Sequence, residues 1–331
     1  MECIGMGLIG AGRWGRNYLR VLTAMEQVEL RWCCDADPDL APFMGRVYPR
    51  VRLTRSSEDV LNDTGVTGVV IATPPATHYP LAKAALSASK HVLLEKPFTL
   101  TYAQAEELVG MAKTRKLVLM AGHIMEYHPV INWIRDYITA GKLGRPLYFH
   151  FRRTNYSRAR AGVNALWDLA IHDLSILRYL LDLLPLSISA DGACFLERGV
   201  HDVVRVTLRF PENTLAQINA IWLHPVGAQT MTVIGEKKTL VFDDLETGDK
   251  LRIYDRGISG KVEGDRSFAY RVLIPSIEPA EPLRNQCMHF LRCIQRGEEP
   301  ITGARDILWV MKVAETAQES LAVNAIGCCE G

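Results

Sequence analysis

Three glycines at a strand-to-helix junction, an aspartate and a lysine at later strand ends, and an aspartate four residues before a histidine are the residues whose types and spacing could do chemistry. Gly10, Gly12 and Gly15 close the run IGMGLIGAGRWG, which begins at Ile4, with GxGxxG spacing. The first permits a tight turn, the second lets a pyrophosphate approach the backbone, and the third lets the following helix pack closely with its N-terminus toward the phosphates. About twenty residues further on, where such sites carry an acidic residue, the apolar run Val28 to Cys34 ends at Asp35. A carboxylate there accepts hydrogen bonds from ribose hydroxyls and repels a 2'-phosphate, so NAD is the expected cofactor. Arg13, inside the loop, keeps NADP open, since a guanidinium tolerates that phosphate. Lys96, in Glu95-Lys96-Pro97, ends the run HVLLEKP and places a cation at the rim of a sheet, although a lysine at a strand end is by itself ordinary surface. Asn164, Asp168 and His172 recur at i, i+4 and i+8 along one helical stripe. Ala165, Leu166, Trp167, Leu169, Ala170 and Ile171 make that helix apolar nearly all round, so the stripe is expected to be buried, and a buried Asp and His need partners.

The elements that would position these residues fall into two styles. Up to residue 121, buried strands at Ile4 to Ile9, Val28 to Cys34, Val66 to Thr73, His91 to Leu94 and Lys116 to Ala121 alternate with helical patterns at Arg16 to Met25, His78 to Ala88 and Thr101 to Arg115. That alternation predicts a doubly wound parallel sheet, in which ligands sit outside the carboxyl ends of the strands. Gly10, Asp35, Thr73, Glu95, Lys96 and His123 all follow strands. From Leu147, strand-like segments succeed one another through hairpin-type turns and predict a mostly antiparallel open sheet. Helical patterns at Asn164 to Leu181, Leu283 to Arg296 and Ala304 to Val323 accompany it. The expected architecture is α/β: a Rossmann domain over 1–121 and an α+β domain for substrate binding and oligomerisation over 122–331.

With 331 residues the chain is long enough for two cores, and 38 basic against 37 acidic residues leave a net charge of +1. No global field recommends nucleic acid or an anionic membrane as partner. The eight cysteines show no CxxC spacing and include two adjacent pairs, Cys33-Cys34 and Cys328-Cys329, which suits neither a zinc site nor a disulfide framework. A cytoplasmic, unprocessed, soluble protein is expected, since no basic-then-apolar leader or bilayer-length apolar stretch occurs.

Taken together, Gly10-Ala-Gly12-Arg13-Trp14-Gly15, Thr73-Pro74-Pro75 with His78, Glu95-Lys96-Pro97, and Asp168 with His172 resemble the Gfo/Idh/MocA family of glucose-fructose oxidoreductase and inositol dehydrogenase relatives over nearly the whole chain. The resemblance implies a dehydrogenase with Lys96, Asp168 and His172 as the catalytic set. It implies that the glycine loop, Asp35, the Thr73-Pro74-Pro75 turn, His78, Glu95 and Lys96 hold the dinucleotide. The stretch RRTNYSRARAGVNALWD, from Arg152 to Asp168, resembles members acting on nucleotide-linked sugars such as UDP-N-acetylglucosamine 3-dehydrogenases, with departures at Tyr156 and Ile171. Arg152, Arg153, Arg158 and Arg160 could clamp a diphosphate or carboxylate, or form a basic surface loop. His123, Tyr127, Asn164 and Trp167 are expected to line the sugar pocket with the catalytic set. His123 and Glu126 invite a metal reading, but no dedicated ligand spacing is present, and none is expected. The remaining alternatives are an inositol or free-sugar dehydrogenase, a deoxysugar ketoreductase, and a catalytically idle NAD-binding regulator. A homodimer or homotetramer is the expected assembly, as in the family.

Overall fold

The computed structural model describes residues 3–156, 163–255 and 271–324. Its chain divides into two compact units, Met1–Tyr127 with Ala280–Met311, and His128–Pro279 with Lys312–Gly331.

The first unit is built on a six-stranded, all-parallel sheet in the order β3-β2-β1-β4-β5-β6. The strands are β1 (Ile4–Ile9), β2 (Val28–Cys34), β3 (Arg52–Thr54), β4 (Gly68–Ile71), β5 (His91–Leu94) and β6 (Leu119–Ala121). All six residues of β1 and all four of β4 are buried, as strands covered by helices on both faces must be. The helices between them are α1 (Gly15–Thr23), α2 (Ala41–Val47), α3 (Ser57–Asn62), α4 (His78–Ser87) and α5 (Tyr102–Arg115). Helix α5 starts where the Thr101 hydroxyl accepts from the Gln104 N–H, and it stops at Lys116 in the left-handed region (φ 56). Strand order reverses between β1 and β4, which places the switch point of the sheet, and so its ligand crevice, beside Gly10 and Thr73.

The expected boundary at residue 121 needs correction, because α8 (Pro282–Arg296) belongs to the first unit. Leu283, Cys287, Phe290, Leu291 and Cys293 lie in one apolar cluster with Met6, Leu8, Tyr18 and Leu22. The amphipathic pattern of α8 announces a buried face without saying which sheet it covers.

The second unit carries an eight-stranded sheet in the order β14-β13-β12-β11-β7-β10-β9-β8. Its strands are β7 (Pro146–Tyr156), β8 (Ser187–Ala193), β9 (Val203–Arg209), β10 (Leu215–Ile221), β11 (Leu223–Gly235), β12 (Thr239–Asp243), β13 (Leu251–Tyr254) and β14 (Val272–Leu273). Every pairing is antiparallel except β10 with β7. In β9 and β10 alternate residues are buried, the pattern of a sheet with one packed and one open face. Helix α6 (Pro129–Thr139), a π-helical turn at Leu166–Ala170 and α7 (Ile171–Leu181) belong to this unit, and α9 (Ala304–Asn324) contributes its residues from Lys312 onward. Among the described residues no helix is long and apolar enough to cross a membrane.

Candidate active site

In the first unit the glycine loop has the geometry that phosphates require. Gly10 adopts φ +97, and a Cβ there would stand 2.6 Å from the Ala72 carbonyl oxygen. At Gly15 a Cβ would lie 2.0 Å from the Gly10 carbonyl oxygen, so only glycine lets α1 pack onto the turn. At Gly12 a Cβ would meet nothing within 4 Å, which leaves open the backbone approach that a pyrophosphate uses. Beside it, Ala11, Gly12, Arg13, Arg16, Asp35, Asp37 and Leu40 line a cleft of about 380 Å³. Asp35 is held by the Ala11 N–H at 2.5 Å on Oδ2 and by the Asp37 N–H at 2.9 Å on Oδ1. Each carboxylate oxygen accepts more than one bond, so a fixed Asp35 still has capacity for ribose hydroxyls. The loop, the cleft and the carboxylate together fit a dinucleotide.

Glu95 and His78 are buried and braced by internal hydrogen bonds. Glu95 is buried and its Oε1 accepts from Trp14 Nε1 and from the Tyr18 hydroxyl, both at 2.6 Å. Its Oε2 accepts from the Lys96 N–H at 3.0 Å. The carboxylate thus ties helix α1 to the turn that carries Lys96. Burial, and then the adjacent Glu95 charge, push the Tyr18 hydroxyl well above its ordinary range and keep it a donor. His78 has no exposed surface, and its ring nitrogens lie 2.8 Å from the Pro97 and Thr73 carbonyls. Burial lowers its affinity for a proton against the pull of those carbonyls. It joins the turn after β4 to the turn after β5 through the Thr73 and Pro97 carbonyls. Lys96 itself is half-buried at the end of β5, and Trp14 and Arg13 are exposed on the loop.

His123 and Tyr127 follow β6 and are buried. His123 is 1% exposed, with Nδ1 2.6 Å from Asp306 Oδ2, and the buried Tyr127 hydroxyl shares a 3.1 Å hydrogen bond with Thr302. Their partners arrive from near residue 300, a long-range pairing that local pattern cannot announce. His123, Glu126 and Asp306 offer atoms within 4.8 Å of one another. The 2.6 Å contact is a hydrogen-bond distance, shorter than the roughly 3 Å separating two ligands of one zinc ion. It describes an Asp–His pair.

In the second unit the predicted stripe begins differently from an α-helix. Asn164 precedes the helix and caps it, its Oδ1 accepting from the Leu166 and Trp167 N–H groups at 3.1 and 3.3 Å. Its amide and the Trp167 indole both donate to Gln318 Oε1, at 2.8 and 3.1 Å. Residues 166–170 then form the π-helical turn, with Asp168 inside it and His172 just beyond. π turns are rare and collect at functional sites. Asp168 is 4% exposed and accepts from Trp222 Nε1 at 3.1 Å, while His172 is half-buried.

The four arginines do not form one clamp. Arg153 donates through Nε and Nη2 to Asp173 Oδ1, at 3.0 and 2.7 Å, and through Nη1 to Gln229 at 3.1 Å. Burial raises the Asp173 carboxyl against the opposing charge of Arg153. Arg152, the preceding residue of β7, is exposed on the opposite face. Arg158 and Arg160 lie outside the described residues. Tyr18, Asp173, Trp222 and Asp306 were absent from the candidate residues. Only Asp173, adjacent to His172, carried a local signal.

With this geometry in place, comparison with known proteins gives a consistent result. Residues 4–123 match the oxidoreductase family with NAD-binding Rossmann fold, and residues 131–241 match the GFO/IDH/MocA C-terminal domain. The chain belongs to the Gfo/Idh/MocA oxidoreductase family. A UDP-N-acetylglucosamine 3-dehydrogenase of Acidithiobacillus ferrooxidans is 32% identical over 259 residues, 78% of this chain and 79% of the relative. Its solved structure superposes with a TM-score of 0.84 at 26% identity, covering 98% of this chain and 99% of that one. A protein from gentamicin A biosynthesis, solved in complex with NAD, gives a TM-score of 0.83 at 26% identity, covering 99% and 95%. The scyllo-inositol 2-dehydrogenase (NAD(+)) of Bacillus subtilis is 24% identical over 330 residues, 95% of this chain and 92% of the relative. The protein is an NAD-binding oxidoreductase of the class that acts on a CH–OH group.

Proposed function

We propose that the protein interconverts a secondary alcohol and a ketone on a nucleotide-linked sugar, with the hydroxyl at C3 as the reacting group. The observation that carries this reading is the 32% identity to a UDP-N-acetylglucosamine 3-dehydrogenase over 78% of the chain. The chain itself carries a fixed Asp35 beside an open glycine loop, Lys96 at the end of β5, and Asp168 with His172 at the π turn. NAD held by the glycine loop and Asp35 would supply the acceptor for the hydride leaving the carbinol carbon. His172 takes the hydroxyl proton in the oxidative direction and returns it in the reductive one, as a general base and acid. Asp168 orients that ring. Lys96 donates to the reacting oxygen and stabilises its alkoxide character. Asp35 favours NAD over NADP by opposing a 2'-phosphate. Association through the open face of the eight-stranded sheet into a homodimer or homotetramer belongs to the same proposal, and light scattering on a sizing column reads it directly.

The inner role of Arg153 favours keeping a second substrate class, inositols and free sugars, because it removes one of the four cations that an anionic substrate would use. Absorbance of reduced nicotinamide distinguishes the two classes when nucleotide sugars, free sugars and inositols are each offered with NAD and with NADP. Turnover of a UDP-linked amino sugar well above all others is expected. Equal or better turnover of an inositol replaces the nucleotide-sugar reading. Arg158→Ala and Arg160→Ala should raise KM for a nucleotide sugar about tenfold or more, the cost of a lost charge-assisted contact, and leave KM for its free sugar unchanged.

A further inference from the structure

The Trp222 side chain has no exposed surface and sits in the bend between β10 and β11. Its position is set by backbone rather than by packing alone. The Trp222 N–H donates to the Asp202 carbonyl at 2.9 Å, and the Asp202 N–H donates to the Ala193 carbonyl at 3.0 Å. The Asp202 carboxylate in turn accepts from the Phe195 and Leu196 N–H groups at 2.8 and 2.7 Å. The preceding carbonyl, that of His201, accepts from the Ala165 N–H at 2.9 Å. One dipeptide, His201-Asp202, therefore holds both the tryptophan and the first turn of the segment that carries Asp168.

An indole has a single polar atom, which can only donate, and when fully buried it must find an acceptor. Trp222 Nε1 finds Asp168 Oδ2 at 3.1 Å. A donor fixed in a rigid, clamped ring meets a carboxylate on a π turn, where the backbone bonds are weaker than those of an α-helix and side-chain support matters more. We infer that Trp222 is a positioning residue that fixes the rotamer of the Asp168 carboxylate through its indole N–H, and so sets the orientation of His172. This rests on the role proposed above for Asp168.

Trp222→Phe keeps an aromatic ring and removes the donor together with the pyrrole half of the indole. Expected are a kcat lower by about tenfold or more, since the lost bond is to a charged group, with KM and the Kd for NAD changed less than about twofold. In an Asp168→Asn background the same replacement should add nothing further, the coupling expected of a contacting pair. A Trp222→Phe enzyme that loses thermal stability but keeps kcat overturns the inference, since that is the mark of packing alone. Should Trp222→Phe fail to fold, the indole N–H resonance of Trp222 in the natural chain, labelled with nitrogen-15, decides the matter. It should exchange slowly and shift in Asp168→Asn, and a rapidly exchanging signal indifferent to that replacement overturns the inference. Full turnover by Asp168→Asn alone would instead sink the proposed role of Asp168, while the resonance would still report the bond.

Discussion

Under the proposed mechanism, substitution at Lys96 or His172 should separate chemistry from cofactor binding, because the glycine loop and Asp35 that would hold the dinucleotide are left in place when either residue is trimmed. Lys96→Met and His172→Ala should each lower kcat by about 100-fold or more, with the Kd for NAD nearly unchanged in fluorescence titration. Retention of full turnover by Lys96→Met on a verified substrate would remove it from the catalytic set. At Asp35 the argument concerns charge rather than shape. Backbone N–H groups from Ala11 and Asp37 pin the carboxylate, so it cannot swing aside to admit a 2'-phosphate. Asp35→Ser should narrow the ratio of kcat/KM for NAD over NADP, with Arg13 and Arg16, both lining the cleft, free to bind the extra phosphate. Equal use of the two cofactors by the natural chain would mean that these arginines already outweigh the carboxylate.

At the scale of elements, buried ion pairs decide how the second unit holds its helices. Arg153 on β7 is paired to Asp173 on α7, with side chains only 9% and 3% exposed. Removing one partner from such a pair strands a charge, so Arg153→Met should cost about 3 to 5 kcal/mol at neutral pH. The loss should shrink in acid as Asp173 takes up a proton, and Arg153→Met/Asp173→Leu should recover much of it. A neutral-pH loss below about 1 kcal/mol in denaturant titration, the range of exposed pairs, would show that the pair is not buried in solution. Asp244 offers the opposite sign. Burial raises its carboxyl, but bonds to His128 at 3.2 Å and Lys250 at 3.1 Å more than offset this and bring it from 3.8 to about 2. Its folded-state proton affinity is depressed, so its contribution of about 2 kcal/mol is complete above pH 4 and is lost as pH falls toward 2. Asp244→Asn should flatten that window. These pairs also show what the sequence could and could not convey. The strand-to-helix spacing of Gly10 to Gly15 and Asp35 was legible because it is local and period-bound. Arg152 and Arg153 read as one cationic patch, although successive strand residues face opposite ways and only one was open to solvent. The edge strand β8, rich in serine, alanine and glycine, carried no strand signal at all. His123 and Tyr127 looked like pocket residues because their partners, Asp306 and Thr302, lie about 175 residues or more further along the chain.

At the scale of the whole molecule, chain order and structural order part company at α8. A reading by pattern ends the dinucleotide-binding domain at residue 121, yet the apolar cluster of that unit is completed by Leu283, Phe290 and Leu291. Fully burying each of these contributes roughly 1.5 to 3 kcal/mol, so the three together supply about 5 to 9 kcal/mol as an upper estimate. That equals much of the 5 to 15 kcal/mol by which a typical domain is stable. The polar seams agree: Gln286 donates to the Ala121 carbonyl at 3.3 Å, and Asn285 donates to that of Tyr127 at 3.1 Å, so α8 also satisfies backbone groups at the end of β6. A fragment of residues 1–127 should therefore unfold without a sharp transition, exposing apolar surface that binds a hydrophobic dye. The same fragment joined through a flexible linker to residues 280–311 should melt cooperatively and regain NAD binding, because the helix that backs β1 and α1 is restored. Cooperative unfolding of 1–127 alone, at the temperature of the fused fragment, would show that α8 only covers a core that is already complete. The fused fragment contains Lys96 but neither Asp168 nor His172. It should bind the cofactor without turning over any alcohol, which separates the dinucleotide site from the catalytic pair in one molecule.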